Sequence, residues 1–137
     1  MRINKKKFVY LISPNKIQKN FYKNLDFILQ SQKVKYFQLR VKDSSRKNII
    51  KIGKKIKKIC KKNKVKFIIN DDPHIAKILN CDGCHLGQSD INILMARKII
   101  KNKIIGLTCH NSKSLIKKAI INKADYIALG AFYKTKT

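Results

Sequence analysis

Polar side chains suited to an anionic ligand occur at and just beyond a short apolar run at 34–39. Gln38, Arg40 and Lys42 alternate along the chain, and an extended strand would place all three side chains on one face. An amide, a guanidinium group and an ammonium group together can hold an anion with directional hydrogen bonds. The pattern leaves two interpretations open: a binding site, or an ion pair at Arg40 beside a solvated lysine.

Carboxylates are rare in this chain, so their positions are informative. Only seven are present; Asp71 and Asp72 follow one apolar run, and Asp90 follows the next. Such carboxylates can hold Mg²⁺ when substrate phosphates supply further ligands. Asp72 and Asp90 also suit the N-cap position of the helix that each precedes. We predict metal binding for Asp71 and Asp90, and capping for Asp72.

Further polar groups follow the last two predicted strands. Residues 108–112 combine hydroxyl and amide groups at the start of a helix, where backbone N–H groups favour anions. Asn111 or Ser112 is more simply an N-cap. The loop at 130–137 contains Thr135 and Thr137, which alternate with Lys134 and Lys136, and suits a phosphate, although its composition equally fits a frayed terminus.

A cysteine motif points to other chemistry. Residues 81–85 match the C-x-x-C-H signature of haem attachment, and Cys81 and Cys84 also have a spacing that zinc sites use, with Cys109 or His110 as further ligands. We favour neither, because the motif lies in a short apolar run, where cysteine packs as a small apolar residue. No signal peptide is apparent, so we expect a cytoplasmic protein with four reduced cysteines.

An alternation of strands and helices must position these groups. Apolar runs predict strands at 8–12, 34–39, 65–69, 83–86, 103–107 and 126–129. Helical spacing of apolar residues predicts helices at 73–79, 90–100 and 112–121, and two more that carry the apolar positions of 21–29 and 49–59. In the helix at 90–100 we expect Leu94, Met95 and Ile99 to face inward. The alternation predicts parallel β/α units in one domain, 1–137, with ligands at the carboxyl ends of the strands.

The charge balance is strongly basic, with 33 Lys and Arg against seven acidic residues and a formal net charge of +26. Such a field attracts polyanions and phosphorylated substrates alike. The lysines are spread over every segment instead of forming one patch, so we do not predict nucleic acid as the main partner. No apolar run has the length of a membrane span.

In chain order, the strand-end residues resemble the motifs of thiamine phosphate synthases. Residues 38–42 are similar to Q-x-R-x-K, residues 69–71 to I-N-D, and residues 82–90 to D-G-V-H-L-G-Q-x-D. Residues 105–108 resemble I-G-V-S/T, and residues 124–137 resemble A-D-Y-x-x-x-G-x-x-F-P-T-x-T. The chain departs from these motifs at Cys84, where Val is usual, at Asp72, where Arg is frequent, and at Lys134, where Pro is usual.

The resemblance implies an α/β fold, a TIM (β/α)₈-type barrel that is incomplete here, with about six β/α units. It implies that hydroxymethylpyrimidine diphosphate condenses with hydroxyethylthiazole phosphate to thiamine phosphate and diphosphate, assisted by Mg²⁺. It also implies roles for individual residues, with none catalytic beyond the substrate and metal ligands. Gln38, Arg40, Lys42 and Asn70 would bind the pyrimidine diphosphate, Thr108 the pyrimidine substrate, Asp71 and Asp90 Mg²⁺, and Thr135 and Thr137 the thiazole phosphate.

The chain stops before the seventh and eighth strands of such a barrel. We therefore expect the isolated chain to be poorly stable and weakly active or inactive. Two non-catalytic alternatives remain: a relative of the thiazole tautomerase type, and a basic fragment that binds polyanions. Assembly into a homo-oligomer also stays open.

Overall fold

The computed structural model describes residues 7–133, in which six strands alternate with five helices. The strand order in the sheet follows the chain order, β1 to β6. The chain divides into two compact units, Met1–Phe67 and Ile68–Thr137. The alternation predicted from the sequence is confirmed. No helix within 7–133 is long and apolar enough to cross a membrane. Thr135 and Thr137 lie outside the described residues.

The first unit is built from two strands, two helices and the start of a third strand. These are β1 (Val9–Ile12), α1 (Phe21–Leu29), β2 (Val34–Leu39), α2 (Arg46–Lys62) and the first residues of β3 (Lys66–Asn70). β1 and β2 pair in parallel. The apolar core contains Leu25, Leu29, Phe37, Ile56 and Phe67, each at most 2% exposed. The lysine-rich side of α2 is exposed, as its sequence pattern predicts.

The second unit continues β3 and adds three helices and three strands. These are α3 (Pro73–Ile78), β4 (Gly83–Leu86), α4 (Ile93–Ile100), β5 (Ile104–His110), α5 (Lys113–Ile121) and β6 (Tyr126–Leu129). β3 pairs with β4, β4 with β5 and β5 with β6, always in parallel. All four residues of β4 are buried, as expected for a strand covered on both faces.

Three helices end in the same way, and this sets where the next strand begins. Lys64, Asn80 and Lys123 have positive φ, and the residue after each donates its N–H to a carbonyl five positions earlier, at 2.9 Å. This is the Schellman pattern, in which one left-handed residue reverses the chain. It usually employs glycine, so three non-glycine residues here accept a conformation that L side chains adopt only rarely.

One helix differs from its prediction. α4 begins at Ile93 and not near Asp90, because the side chain of Asn92 accepts from the backbone N–H of Met95 at 3.0 Å and provides the N-cap. The inward residues are Ile93, Ala96 and Ile100. The prediction of Leu94 and Met95 as inward residues was wrong, since they are 59% and 46% exposed.

Candidate active site

In the first unit, the loop after β1 holds the carboxyl end of β2 in place. Ser13 donates its backbone N–H to the carbonyl of Gln38 at 2.9 Å, and its Oγ accepts from the backbone N–H of Arg40 at 2.9 Å. Asn15 Oδ1 accepts from the backbone N–H of Lys42 at 2.6 Å. These bonds involve only the backbone of residues 38, 40 and 42, so they fix the chain without using the cationic side chains.

Exposure increases along this segment. Gln38 is buried, and its Oε1 accepts from the Tyr10 hydroxyl at 3.0 Å. Arg40 is half-buried and Lys42 is exposed, both beyond the last residue of β2. Within residues 7–133 neither cation takes part in an ion pair, so the ion-pair interpretation of Arg40 receives no support. Two cationic side chains are thus available to a ligand.

Lys42 also lines a cavity of about 490 Å³ in the first unit. Three more lysines contribute to its wall, against a single carboxylate, that of Asp43. The cavity is therefore electropositive and suits an anionic group. The lysines on its wall are Lys16, Lys51 and Lys55.

In the second unit, the polar groups after β3 divide into two roles. Asp72 caps α3: one carboxylate oxygen accepts from the backbone N–H groups of His74 and Ile75, at 2.9 and 3.1 Å. The capping prediction for Asp72 is confirmed. Asp71 is exposed with φ of 64°, and its backbone N–H donates to the carbonyl of His85 at 2.7 Å. Asn70, the last residue of β3, is half-buried.

Asp90 is not the N-cap that its position before α4 allowed. Its Oδ2 accepts from the backbone N–H of Gly87 at 2.7 Å, which closes the turn after β4. Its Oδ1 forms no hydrogen bond within the part of the chain that the structure describes. A Cβ at residue 87 would lie 2.8 Å from Oδ2, so this turn favours glycine. Asp90 therefore has one carboxylate oxygen committed to the fold and one available to a ligand.

A buried thiol reports the charge around these carboxylates. Burial raises the pKa of Cys84 well above its ordinary value, and the negative charges of Asp71, Asp72 and Asp90 raise it further. The three carboxylates therefore act on one small region, at the carboxyl ends of β3 and β4. Their mutual repulsion would be relieved by a bound cation.

The donor set fits a hard cation only in part. Carboxylate oxygens are ligands that Mg²⁺ prefers, but it needs six ligands, which phosphates and water commonly supply beside one or two carboxylates. Within residues 7–133 no group of three or more His, Cys, Asp or Glu side chains could hold a metal. Asp71 and Asp90 thus suit a metal that is bound together with a phosphorylated substrate.

Thr108 lies near the end of β5, within a hydrogen-bonded group that the sequence did not reveal. Its Oγ1 is 2.8 Å from Nε2 of His85, and Nδ1 of His85 is 2.9 Å from the hydroxyl oxygen of Tyr126. Gln88 donates its side-chain N–H to the backbone carbonyl of Thr108. His85 and Tyr126 were missed because their contact joins β4 to β6, which no local pattern could show.

The cysteines of the C-x-x-C-H motif are packed in the apolar core. Cys81, Cys84 and Cys109 are each at most 1% exposed, and none of the four cysteines, all within residues 7–133, forms a disulfide. Both ring nitrogens of His85 are already hydrogen-bonded. The motif is therefore part of the packing of β4, as expected.

Comparison with known proteins agrees with the motifs. Residues 9–137 match the family model described as thiamine monophosphate synthase. A thiamine-phosphate synthase of Pelagibacter ubique is 64% identical over the whole chain, which covers 68% of that relative. One from Fusobacterium nucleatum is 42% identical over 94% of the chain, which covers 63% of its length.

A solved structure supports the fold. Thiamine phosphate pyrophosphorylase from Pyrococcus furiosus superposes with a TM-score of 0.84 at 25% sequence identity, over 94% of this chain and 62% of the other. The chain thus spans about two thirds of the length of the relatives it matches, and the prediction of a partial barrel of this type is confirmed. The chain belongs to the thiamine monophosphate synthase family.

Proposed function

We propose that this chain carries the substrate and metal ligands of a thiamine phosphate synthase, a transferase. The reaction joins hydroxymethylpyrimidine diphosphate to hydroxyethylthiazole phosphate and releases diphosphate. The observation that carries the proposal is the 64% identity to a thiamine-phosphate synthase over the whole chain. The available cations after β2 and the carboxylates after β3 and β4 support it.

In this proposal one group of residues binds the pyrimidine diphosphate and another holds the metal. Gln38, Arg40, Lys42 and Asn70 bind the pyrimidine diphosphate, and Asp71 and Asp90 hold Mg²⁺. Cations that face a departing diphosphate stabilise the charge that develops as its bond to the pyrimidine methylene carbon breaks. Mg²⁺, when bound, would add charge stabilisation on the diphosphate oxygens.

The remaining roles concern the two ring systems. Thr108 contacts the pyrimidine substrate, and Thr135 and Thr137 bind the phosphate of the thiazole substrate. The thiazole nitrogen supplies the electron pair for the new carbon–nitrogen bond, so no side chain has to act as a nucleophile.

We further propose one domain, 1–137, in a cytoplasmic protein. The family model runs without interruption through both units, from residue 9 to 137. Four buried cysteines that form no disulfide within residues 7–133 are compatible with a reducing compartment. Assembly into a homo-oligomer stays a prediction.

The test is a rate measurement on the 137-residue chain with both substrates and Mg²⁺, following thiamine phosphate by chromatography. Because the chain spans only about two thirds of the length of its relatives, we expect at most weak product formation, dependent on both substrates. We expect the rate to fall further, by about 100-fold, in Asp71→Asn, since a ligand of a charge-stabilising metal is removed. Asp26→Asn is the matched control, because that carboxylate is bound to Lys62 and Asn63 on the helical side of the first unit. A wild-type chain that is folded by circular dichroism but neither forms product nor binds hydroxymethylpyrimidine diphosphate would contradict the proposal.

A further inference from the structure

Three residues of the second unit form a row across adjacent strands. His85 on β4 is in register with Gly106 on β5, and Gly106 is in register with Tyr126 on β6. Register partners in parallel strands present their side chains on the same face. His85 and Tyr126 are thus on one face, separated by a residue that has no side chain.

Gly106 makes the contact between the outer two residues possible. A Cβ at residue 106 would clash with ring and hydroxyl atoms of Tyr126. The tyrosine ring instead occupies that space and stacks on His85, with ring centroids 5.5 Å apart and an interplanar angle of 28°. The sequence therefore uses a glycine to let the Tyr126 hydroxyl reach Nδ1 of His85, at 2.9 Å.

The imidazole connects this hydroxyl to Thr108. Its Nε2 is 2.8 Å from Thr108 Oγ1, and the ring is only 8% exposed. A neutral imidazole has one N–H donor and one acceptor nitrogen, so the two hydroxyl groups must be used in opposite senses. One donates to the ring, and the other accepts from it.

The acidity of the two hydroxyls decides the direction. A phenol, with a pKa of about 10, is a stronger hydrogen-bond donor than an aliphatic alcohol. Its oxygen, with a lone pair delocalised into the ring, is the weaker acceptor. The favoured arrangement has Tyr126 donating to Nδ1 and Nε2–H donating to Thr108. The hydroxyl hydrogen of Thr108 is then left for an acceptor outside the group.

We propose that His85 and Tyr126 are positioning residues that fix Thr108 as a hydrogen-bond donor toward the pyrimidine substrate. The matching acceptor on an aminopyrimidine is a ring nitrogen. This inference rests on the proposed function for the identity of the ligand, but the direction of the hydrogen bonds is a property of the free chain. The family resemblance implies a contact of Thr108 with the pyrimidine substrate, but it gives neither the direction of that hydrogen bond nor the residues that support it.

The direction of the hydrogen bonds is tested without any ligand. Nitrogen-15 NMR of the histidine-labelled 137-residue chain distinguishes a protonated Nε2 from a protonated Nδ1. We expect His85 to be protonated at Nε2, and we expect the Nδ1 signal to move toward that of a free acceptor nitrogen in Tyr126→Phe. Tyr22→Phe is the control, since it removes a phenol hydroxyl from α1 in the other unit. Protonation of His85 at Nδ1 would overturn the proposal.

The positioning role is tested by binding of hydroxymethylpyrimidine diphosphate, measured calorimetrically. We expect Tyr126→Phe and Thr108→Val each to weaken binding about 3- to 10-fold, the effect of one lost hydrogen bond, and Thr108→Ser to bind like the wild type. The double variant Tyr126→Phe/Thr108→Val should bind no more weakly than Thr108→Val alone, because Tyr126 acts through Thr108.

Additive losses in that cycle would mean that Tyr126 only supports the fold, and would overturn the positioning role. Gly106→Ala gives a second approach, because it displaces the Tyr126 ring while leaving both hydroxyl groups in the chain; it should reproduce the change in the Nδ1 signal. A wild-type chain that does not bind the pyrimidine diphosphate would count against the proposed function, whereas the NMR measurement would still decide the direction of the hydrogen bonds.

Discussion

The two ends of the strands in the second unit carry polar groups of opposite kinds. At the amino ends, the guanidinium group of Arg97 donates to the carboxylate of Asp125 at 2.7 Å and to the carbonyls of Lys101 and Lys103 at 2.7 and 2.5 Å. Asp125 also accepts from the backbone N–H of Ile105 at 2.8 Å. Arg97 and Asp125 thus have their partners within the unit.

At the carboxyl ends, polar groups keep hydrogen-bonding atoms that the fold does not use. Asp90 uses one oxygen for the turn at Gly87, and Thr108 keeps a hydroxyl hydrogen beyond its contact with His85. Burial raises the pKa of Cys84 here, and the negative charges of these carboxylates raise it further. The difference teaches that polar residues of the same types stabilise a β/α fold when they are mutually satisfied and stay available to ligands when they are not.

The comparison is sharpened most by Asp90→Asn. The amide oxygen can still accept from Gly87, so we expect the free energy of unfolding to change by less than about 1 kcal/mol. The charge offered to Mg²⁺ is lost, so we expect synthesis of thiamine phosphate to fall about 100-fold. Initial rates and urea unfolding measure the two quantities on the same preparation.

Asp26→Asn again provides the control, because it removes a carboxylate that is paired with Lys62 at 2.7 Å. A variant Asp90→Asn that keeps its rate but loses stability would place Asp90 with the structural residues of the amino ends. The proposed difference between the two ends of the strands would then lose its main support.

Arg97→Met tests the opposite end. It removes the bonds to Asp125, Lys101 and Lys103, and we expect a loss of about 2 kcal/mol in the free energy of unfolding, limited because both partners of the ion pair are partly exposed. The rate of the folded fraction should not change. Lys98→Met is the matched control on the same helix. A fall in the rate of fully folded Arg97→Met would show that the amino ends contribute to function after all.

Sequence patterns predicted what is local in this chain. β2, β4 and β6 have the predicted bounds, since each is a compact apolar run between turn residues. Asp72 and Ser112 cap their helices, since a side-chain oxygen next to the first turn is sufficient for that role. The fold and the family could therefore be predicted from the sequence.

The features that the sequence did not predict depend either on competition between two residues for one role or on the register of neighbouring strands. Asp90 and Asn92 are both good caps, and only the turn that binds Asp90 to Gly87 leaves the cap to Asn92. The contact of His85 with Tyr126 needs β4, β5 and β6 in their actual register, with a glycine between the two side chains. No pattern within one strand contains that information.

Asp72→Ala separates capping from ligand binding within the carboxyl ends themselves. We expect a loss of about 1 kcal/mol in the free energy of unfolding, because the N–H groups of His74 and Ile75 lose their acceptor. Asp72→Ser should restore most of it, since serine caps as well. Thermal unfolding followed by circular dichroism measures both variants. Equal losses in the two would mean that the charge of Asp72, and not its cap, is what stabilises α3.

Cys84→Val gives the smallest effect and concerns the thiol between these carboxylates. The folded state raises the pKa of Cys84, so the unfolded chain loses this proton first as the pH rises. The contribution of this thiol to the free energy of unfolding is therefore fully present below about pH 8.5 and falls as the pH rises above that value. Valine cannot ionise. We therefore expect Cys84→Val to unfold within about 1.5 kcal/mol of the wild type at pH 7 and to lose less stability between pH 8 and 10. Urea unfolding across that range tests this: parallel pH profiles for the two chains would mean that the folded state does not raise the pKa of Cys84.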